Sequence, residues 1–307
     1  RSKYRTSQFP LPGNPGESSK RIVGREKRRS DTASPNFGYE CVEFISMTTT
    51  RITDQQRAGL LEAVRNAGEF LLSLWPGADG SSADLGVQSK ADGSLVSRAD
   101  FGANEILTNA ITRLFPGDAL LSEEATPDVA ALAAATRTWV IDPLDGTKHF
   151  LNGTDQFSVL VALCEDRCPT LGLMLFPARG VLVVAEQGRG VTVNGERASV
   201  SRSSAPRPSS VYIRNFESKR PELASPMMDS GLAFLKLITG ELDGVVIRMT
   251  THREWDIAAP IVAIREAGGR VTDEAGKEIP CGLGMLQFQY LVAKYFWPWK
   301  KRLYNCR

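Results

Sequence analysis

The run Trp139-Val140-Ile141-Asp142-Pro143-Leu144-Asp145-Gly146-Thr147-Lys148-His149-Phe150 constrains this chain more than any other. Three apolar residues lead straight into two carboxylates three positions apart, with a proline between them and Gly146-Thr147 behind. Proline has no N–H to give a sheet ladder, and glycine tolerates positive φ. The pattern therefore reads as a strand that ends abruptly in a tight polar turn. Such a turn gathers Asp142, Asp145 and the Leu144 carbonyl around one point, and that density of oxygen donors suits a hard divalent cation.

Periodicity supplies the elements around it. Apolar residues at 61, 64, 67, 71 and 74 mark a helix over 55–75 that Pro76-Gly77 ends. Residues 87–97 read as a hairpin about Asp92-Gly93-Ser94, followed by a helix over 101–114 and a strand at 119–121 running into Ser122-Glu123-Glu124. An alanine-rich helix over 127–136 precedes a strand at 138–142. Strands at 156–163, 170–176 and 181–186, with hairpin turns at Gly188-Arg189-Gly190 and Asn194-Gly195, make an antiparallel meander. Regular strand–helix alternation of the Rossmann type is absent there. The polar stretch 199–210 marks a boundary, beyond which strand 211–215, helix 231–239, strand 243–249, helix 256–267 and strand 270–273 alternate. The expected organisation is a basic leader (1–46), a sheet-rich unit (47–200), a smaller α/β unit (201–293) and a basic, aromatic tail (294–307).

Charge narrows the function classes. The formal net charge is +2, yet residues 1–46 hold nine Lys/Arg against five Asp/Glu and the tail holds five basic residues and no acidic one. The stretch between carries 23 basic and 30 acidic residues, a net −7, which disfavours nucleic acid as the partner. The leader is too polar to bury a core and reads as disordered. No apolar run approaches the roughly 18 residues of a membrane span. Five widely spaced cysteines and no secretory signal point to a reducing, cytoplasmic setting. Cys164 and Cys168 are read as a strand-end residue and a turn residue, because two histidines in the whole chain leave a zinc site short of ligands.

Four acidic patches lie where regular elements start or stop: Asp100, Glu123-Glu124, Asp142 with Asp145, and Asp256. Each has an ordinary reading. Asp100 and Asp256 suit helix N-termini, where carboxylates meet free N–H groups, and Glu123-Glu124 suits a solvated surface pair. Spacing alone leaves both readings open.

The motifs WVIDPLDGTKHF (139–150) and EWDIAAPIVAIREAGGRV (254–271), supported by KADGSLVSRAD (90–100) and LLSEE (120–124), resemble the magnesium-dependent, lithium-sensitive phosphatase superfamily. That superfamily includes inositol monophosphatase, fructose-1,6-bisphosphatase and 3'(2'),5'-bisphosphate nucleotidase. The resemblance runs from about residue 55 to about residue 280. It implies an α/β fold of the layered α-β-α-β-α sandwich type, two or three magnesium ions, and hydrolysis of a small phosphorylated metabolite. The ligands it implies are Glu123, Asp142, the Leu144 carbonyl, Asp145 and Asp256, with Asp142 bridging two ions. Asp100 resembles the carboxylate that orients a third ion or its waters, Thr147 the hydroxyl that helps activate water while passing its proton toward Asp100 or Glu123, and Lys90 a lysine of the lid loop; Asp100, Glu123 and Thr147 are thus the expected catalytic residues. Gly146, Thr147, Lys148 and Arg253 are the expected substrate contacts, and a homodimer the expected assembly.

Lys148 after Thr147, and Glu254-Trp255-Asp256, resemble the bisphosphate nucleotidase branch, whose substrate is 3'-phosphoadenosine 5'-phosphate. The segment FLNGTDQFSVLVAL (150–163) leans toward inositol monophosphatases. At 230–235 the chain has Ala233 where nucleotidases carry a lysine, leaving Lys236, Lys148, Arg248 and Arg253 as basic candidates at the mouth. Inositol-1-phosphate or histidinol-phosphate hydrolysis is the alternative, and a non-catalytic phosphometabolite-binding protein is a second.

Overall fold

The computed structural model describes residues 52–77, 85–91, 93–202, 210–214, 228–248, 252–273, 276–277 and 290–294. The basic leader, residues 203–209 of the boundary segment, the tail beyond 294, and Cys41, Cys281 and Cys306 lie outside the described residues.

Thr53 and Gln56 exchange hydrogen bonds across the first turn and start α1 (Asp54–Leu74). A short hairpin follows, β1 (Gln88–Ser89) with β2 (Leu95–Val96), as the Asp92-Gly93-Ser94 signal leads one to expect. Ser97 and Asp100 then repeat the reciprocal cap at α2 (Arg98–Leu114). The helix therefore begins before position 101, with Asp100 inside its first turn.

Next come β3 (Ala119–Ser122), α3 (Val129–Ala134), β4 (Arg137–Asp145) and α4 (Thr147–Leu151). The meander is β5 (Ser158–Glu165), β6 (Cys168–Phe176), β7 (Val181–Glu186), β8 (Gly190–Val193) and β9 (Glu196–Arg197). These strands form one seven-stranded sheet in chain order, parallel at β3–β4 and antiparallel thereafter. Asn194 and Gly195 both take positive φ (49° and 87°) to join β8 to β9. Cys168 opens β6 rather than sitting in the turn, which is made by Asp166 and Arg167.

A second sheet collects β10 (Val211–Arg214), β11 (Gly244–Arg248), β12 (Arg270–Thr272) and β13 (Tyr290–Lys294), in the order β10-β11-β13-β12. Between its strands run α5 (Ser230–Ile238) and α6 (Glu254–Glu266). β13 was not anticipated, because its short apolar run lies beside the aromatic tail with no turn signal to frame it.

Alternation along β4 explains the layering. Trp139 and Ile141 enter a core with α1 and α2, while Val140 enters the opposite core with α6. A strand buried on both faces loses its polar alternation and reads as a continuous apolar run. α6 is buried from Ile257 to Ile264 and shares its core with residues of both sheets. The described layers are therefore α1/α2, the large sheet, α5/α6 and the small sheet.

Candidate metal centre

Asp142 lies on the Val140 face of β4, the face against which α6 packs. Asp145, three residues on, would point the other way in an unbroken strand. The ladder slips between them: Asp142 pairs with Leu160 and Asp145 with Ser158, so three steps on β4 oppose two on β5. Pro143, which has no N–H to offer, sits in this bulge. The abrupt end expected after Asp142 is thus a kink, and the strand runs on to Asp145. The bulge turns both carboxylates to one side, where Asp256 from the first turn of α6 meets them. One oxygen from each of the three aspartates lies within 4.8 Å of the other two.

The remaining expected residues surround this cluster. The Thr147 hydroxyl lies 3.0 Å from Asp100 Oδ1 and 3.1 Å from the Leu144 carbonyl oxygen. Asp100 Oδ2 meanwhile accepts from the Ser97 amide and hydroxyl, both at 2.7 Å. Asp256 accepts from the Arg253 amide. Both aspartates are caps and site residues at once, since each occupies the third helical position and reaches back over its helix start. Gly146 has φ 84°, and a Cβ there would lie 2.6 Å from the Gln156 carbonyl, so the turn into α4 requires glycine. Glu123 and Glu124 are held by Lys90 from the β1–β2 hairpin, at 2.8 Å and 2.6 Å.

Lys148 and Arg253 have exposed side chains. Lys236 is half-buried and pairs with Glu241, so it does not stand in for a lysine at 233. The Arg248 side chain lies outside what the structure describes. His149 Nδ1 sits 3.2 Å from the Thr154 hydroxyl, a turn-packing contact. His252, next to Arg253 in the chain, is only 4% exposed.

Electrostatics show what the cluster lacks. Burial pushes the Asp142 carboxyl well above its ordinary range, and Glu123, Asp145 and Asp256 push it further. Asp145 is raised in the same way by burial, Asp229 and Asp256. Asp256 rises to about 7, through burial and the nearby Glu123 and Asp229, against the hydrogen bond from Arg253. Hard oxygen donors that repel one another in a buried site fit a divalent cation, whose charge relieves all three.

Two participants escaped sequence reasoning. The Asp229 carboxylate is buried beside Asp145, and Arg214 at the end of β10 partly offsets the negative charge on Asp145 and Asp256. The available signal was slight: Asp229-Ser230 ahead of an apolar run is an N-cap pattern, and Asp229 does accept the Gly231 amide at 2.8 Å.

Comparison with known proteins agrees with this geometry. The model of the inositol monophosphatase family matches residues 53–304. A histidinol-phosphatase of Chlorobaculum parvum is 31% identical over 232 residues, covering 71% of this chain and 85% of its own length. A 3'(2'),5'-bisphosphate nucleotidase CysQ of Escherichia coli is 29% identical over 231 residues, covering 71% and 90%. Among solved structures, an inositol monophosphatase of Thermotoga maritima superposes with a TM-score of 0.67 at 25% identity, covering 79% of this chain and 92% of that one. With the aspartate cluster in place, the chain belongs to the inositol monophosphatase family of metal-dependent phosphomonoester hydrolases.

Proposed function

We propose that the chain hydrolyses the 3'-phosphate of 3'-phosphoadenosine 5'-phosphate with magnesium, two or three ions being held by Glu123, Asp142, the Leu144 carbonyl, Asp145 and Asp256. The observation that carries the hydrolytic reading is the convergence of three aspartates beside a threonine whose hydroxyl faces a buried carboxylate. Magnesium in such a site supplies Lewis acidity, lowering the pKa of water and offsetting phosphate charge. Thr147 Oγ1 accepts a hydrogen bond from the attacking water and gives its own proton toward Asp100 Oδ1. Burial raises the Asp100 pKa against the hydrogen bonds from Ser97 and Thr147, which favours proton uptake there. The first amides of α4, at Gly146 and Thr147, have no partner within the helix and face the phosphate oxygens. Lys148 and Arg253 add positive charge at the mouth.

The substrate choice rests on Lys148 after Thr147, on Glu254-Trp255-Asp256, and on the likeness to the Escherichia coli nucleotidase. The likeness to the Chlorobaculum parvum histidinol-phosphatase supports a second reading, histidinol-phosphate hydrolysis. Phosphate release measured with magnesium on 3'-phosphoadenosine 5'-phosphate, histidinol phosphate and inositol 1-phosphate separates them. The expected result is highest kcat/KM on the nucleotide and suppression by lithium at millimolar or lower concentration. Equal or better turnover of either other ester would sink the nucleotide assignment.

A further inference from the structure

Arg214 is the last residue of β10, and its guanidinium is anchored from α5. Nη1 lies 3.5 Å from Asp229 Oδ2 and 3.3 Å from Ser230 Oγ. Both anchors are themselves fixed. The Asp229 amide donates to Gln156 Oε1 at 3.0 Å, and Ser230 Oγ lies 3.2 Å from Nε2 of the buried His252. The two oxygens of Asp229 have different neighbours. A Cβ placed on Gly231 would fall 3.2 Å from Asp229 Oδ1 and 2.4 Å from Asp145 Oδ2, so Oδ1 faces the aspartate cluster while Oδ2 faces Arg214. Arg214 is thus set one carboxylate's width away from the reacting centre.

That placement decides what the guanidinium can meet. Asp229 stands between Arg214 and Asp145, so the arginine does not close on the ligand cluster itself. A third of its side chain (33%) remains exposed, with Nη1 turned to Asp229 and Ser230 and the Tyr212 hydroxyl as a further hydrogen-bond partner. A guanidinium held by buried partners and still one third exposed presents a pre-organised planar group whose geometry matches phosphate oxygens. We propose that Arg214 is a specificity-determining residue that receives a second phosphate of the substrate, spaced away from the one being hydrolysed. The proposal rests on the phosphomonoesterase reading and deepens it: it explains how the chain selects a bisphosphate although Ala233 carries no positive charge.

The test compares two esters with the same scissile bond, 3'-phosphoadenosine 5'-phosphate and adenosine 3'-monophosphate, in the full chain with magnesium. The parent is expected to favour the bisphosphate in kcat/KM by about tenfold to a hundredfold, the range of a charge-assisted hydrogen bond. Arg214→Gln brings the ratio close to one, and Arg214→Lys recovers part of it. Taking the ratio cancels any effect that both esters share. Because Arg214→Gln strands the Asp229 carboxylate, Arg214→Gln with Asp229→Asn provides a charge-balanced variant, and thermal melting checks that each is folded. Calorimetry supplies a readout without turnover: adenosine 5'-monophosphate binds the parent at least about tenfold more tightly than either glutamine variant. A parental ratio near one, or a parental preference kept by the folded variants, overturns the proposal and leaves the phosphatase reading standing. Should the parent hydrolyse inositol 1-phosphate and neither nucleotide, the nucleotide reading fails instead. The same ratio is then taken between inositol 1,4-bisphosphate and inositol 1-phosphate, and an unchanged ratio in Arg214→Gln again overturns the role of Arg214.

Discussion

Asp142 is buried among Glu123, Asp145 and Asp256, all of which oppose its charge. Replacing it with asparagine keeps the shape and removes the charge, so activity and metal-free stability should move in opposite directions. Asp142→Asn is expected to lower kcat/KM by about a thousandfold or more, corresponding to about 4 kcal/mol of transition-state stabilisation. In chelator it should melt higher than the parent, because one repelling carboxylate is gone. An active variant, or one that melts lower in chelator, would show that the charge is not there to hold a cation. At this scale the sequence was informative where the candidate ligands are neighbours in the chain. Asp142, Leu144, Asp145 and Thr147 share one short run, and a bulge in one strand is enough to assemble them. Asp100 and Asp256 were legible only as a choice between cap and ligand; both cap their helices, and Asp256 also joins the aspartate cluster. A carboxylate in the third helical position that accepts from the N-cap amide reaches back over the helix start, which is where the cluster lies. Asp229 and Arg214 were not legible, because their approach to Asp145 depends on how α5 and β10 are placed against β4.

Among the elements, the β1–β2 hairpin is anchored through a side chain. Its two-residue strands give a ladder too short to be stable alone, and Lys90 ties the hairpin to Glu123 and Glu124 beyond β3. Burial works against the Lys90 charge, yet the two glutamates outweigh it and raise its pKa, so it stays charged across the working range. The Glu124 side chain is only 3% exposed and has few other ways to be satisfied. Lys90→Met should therefore cost about 1–2 kcal/mol in chelator, between the values for exposed and buried pairs, and less with magnesium present, which supplies positive charge beside Glu123. Urea denaturation in both conditions checks this, and equal stability of parent and variant in chelator would refute the anchoring role. Most elements were readable to within a few residues, since amphipathic period and turn dipeptides are local signals. Two were not. β4 continues through Pro143 because a bulge tolerates a residue with no N–H, and β13 owes its existence to pairing with β11 and β12.

The molecule as a whole carries two opposing pH terms. Asp256, raised to about 7 from 3.8, is a carboxyl whose ionisation is disfavoured by folding. The metal-free protein carries that penalty in full above pH 7 and sheds it as pH falls, because the folded state then takes up a proton the unfolded chain has not yet bound. Asp142 and Asp145 act in the same direction. His252 acts in the other. Burial, then the charge of Arg214, lower it from 6.5 to about 4, so the unfolded chain protonates first and stability is lost between those values, by about 3 kcal/mol in all. A divalent cation removes the first term by keeping the aspartates ionised, and it leaves the second untouched. Magnesium at about a hundred times its dissociation constant should add roughly 2.7 kcal/mol at pH 8, raising the melting temperature by about 5–10 °C. At pH 5 protons compete for the same carboxylates, so the increment should shrink to a small fraction of that value. His252→Leu should remove most of the acid-side loss without changing the magnesium increment at pH 8. Melting curves at pH 5, 6, 7 and 8, with magnesium or chelator, resolve the two terms. A magnesium increment independent of pH would mean that the ion binds somewhere other than these aspartates.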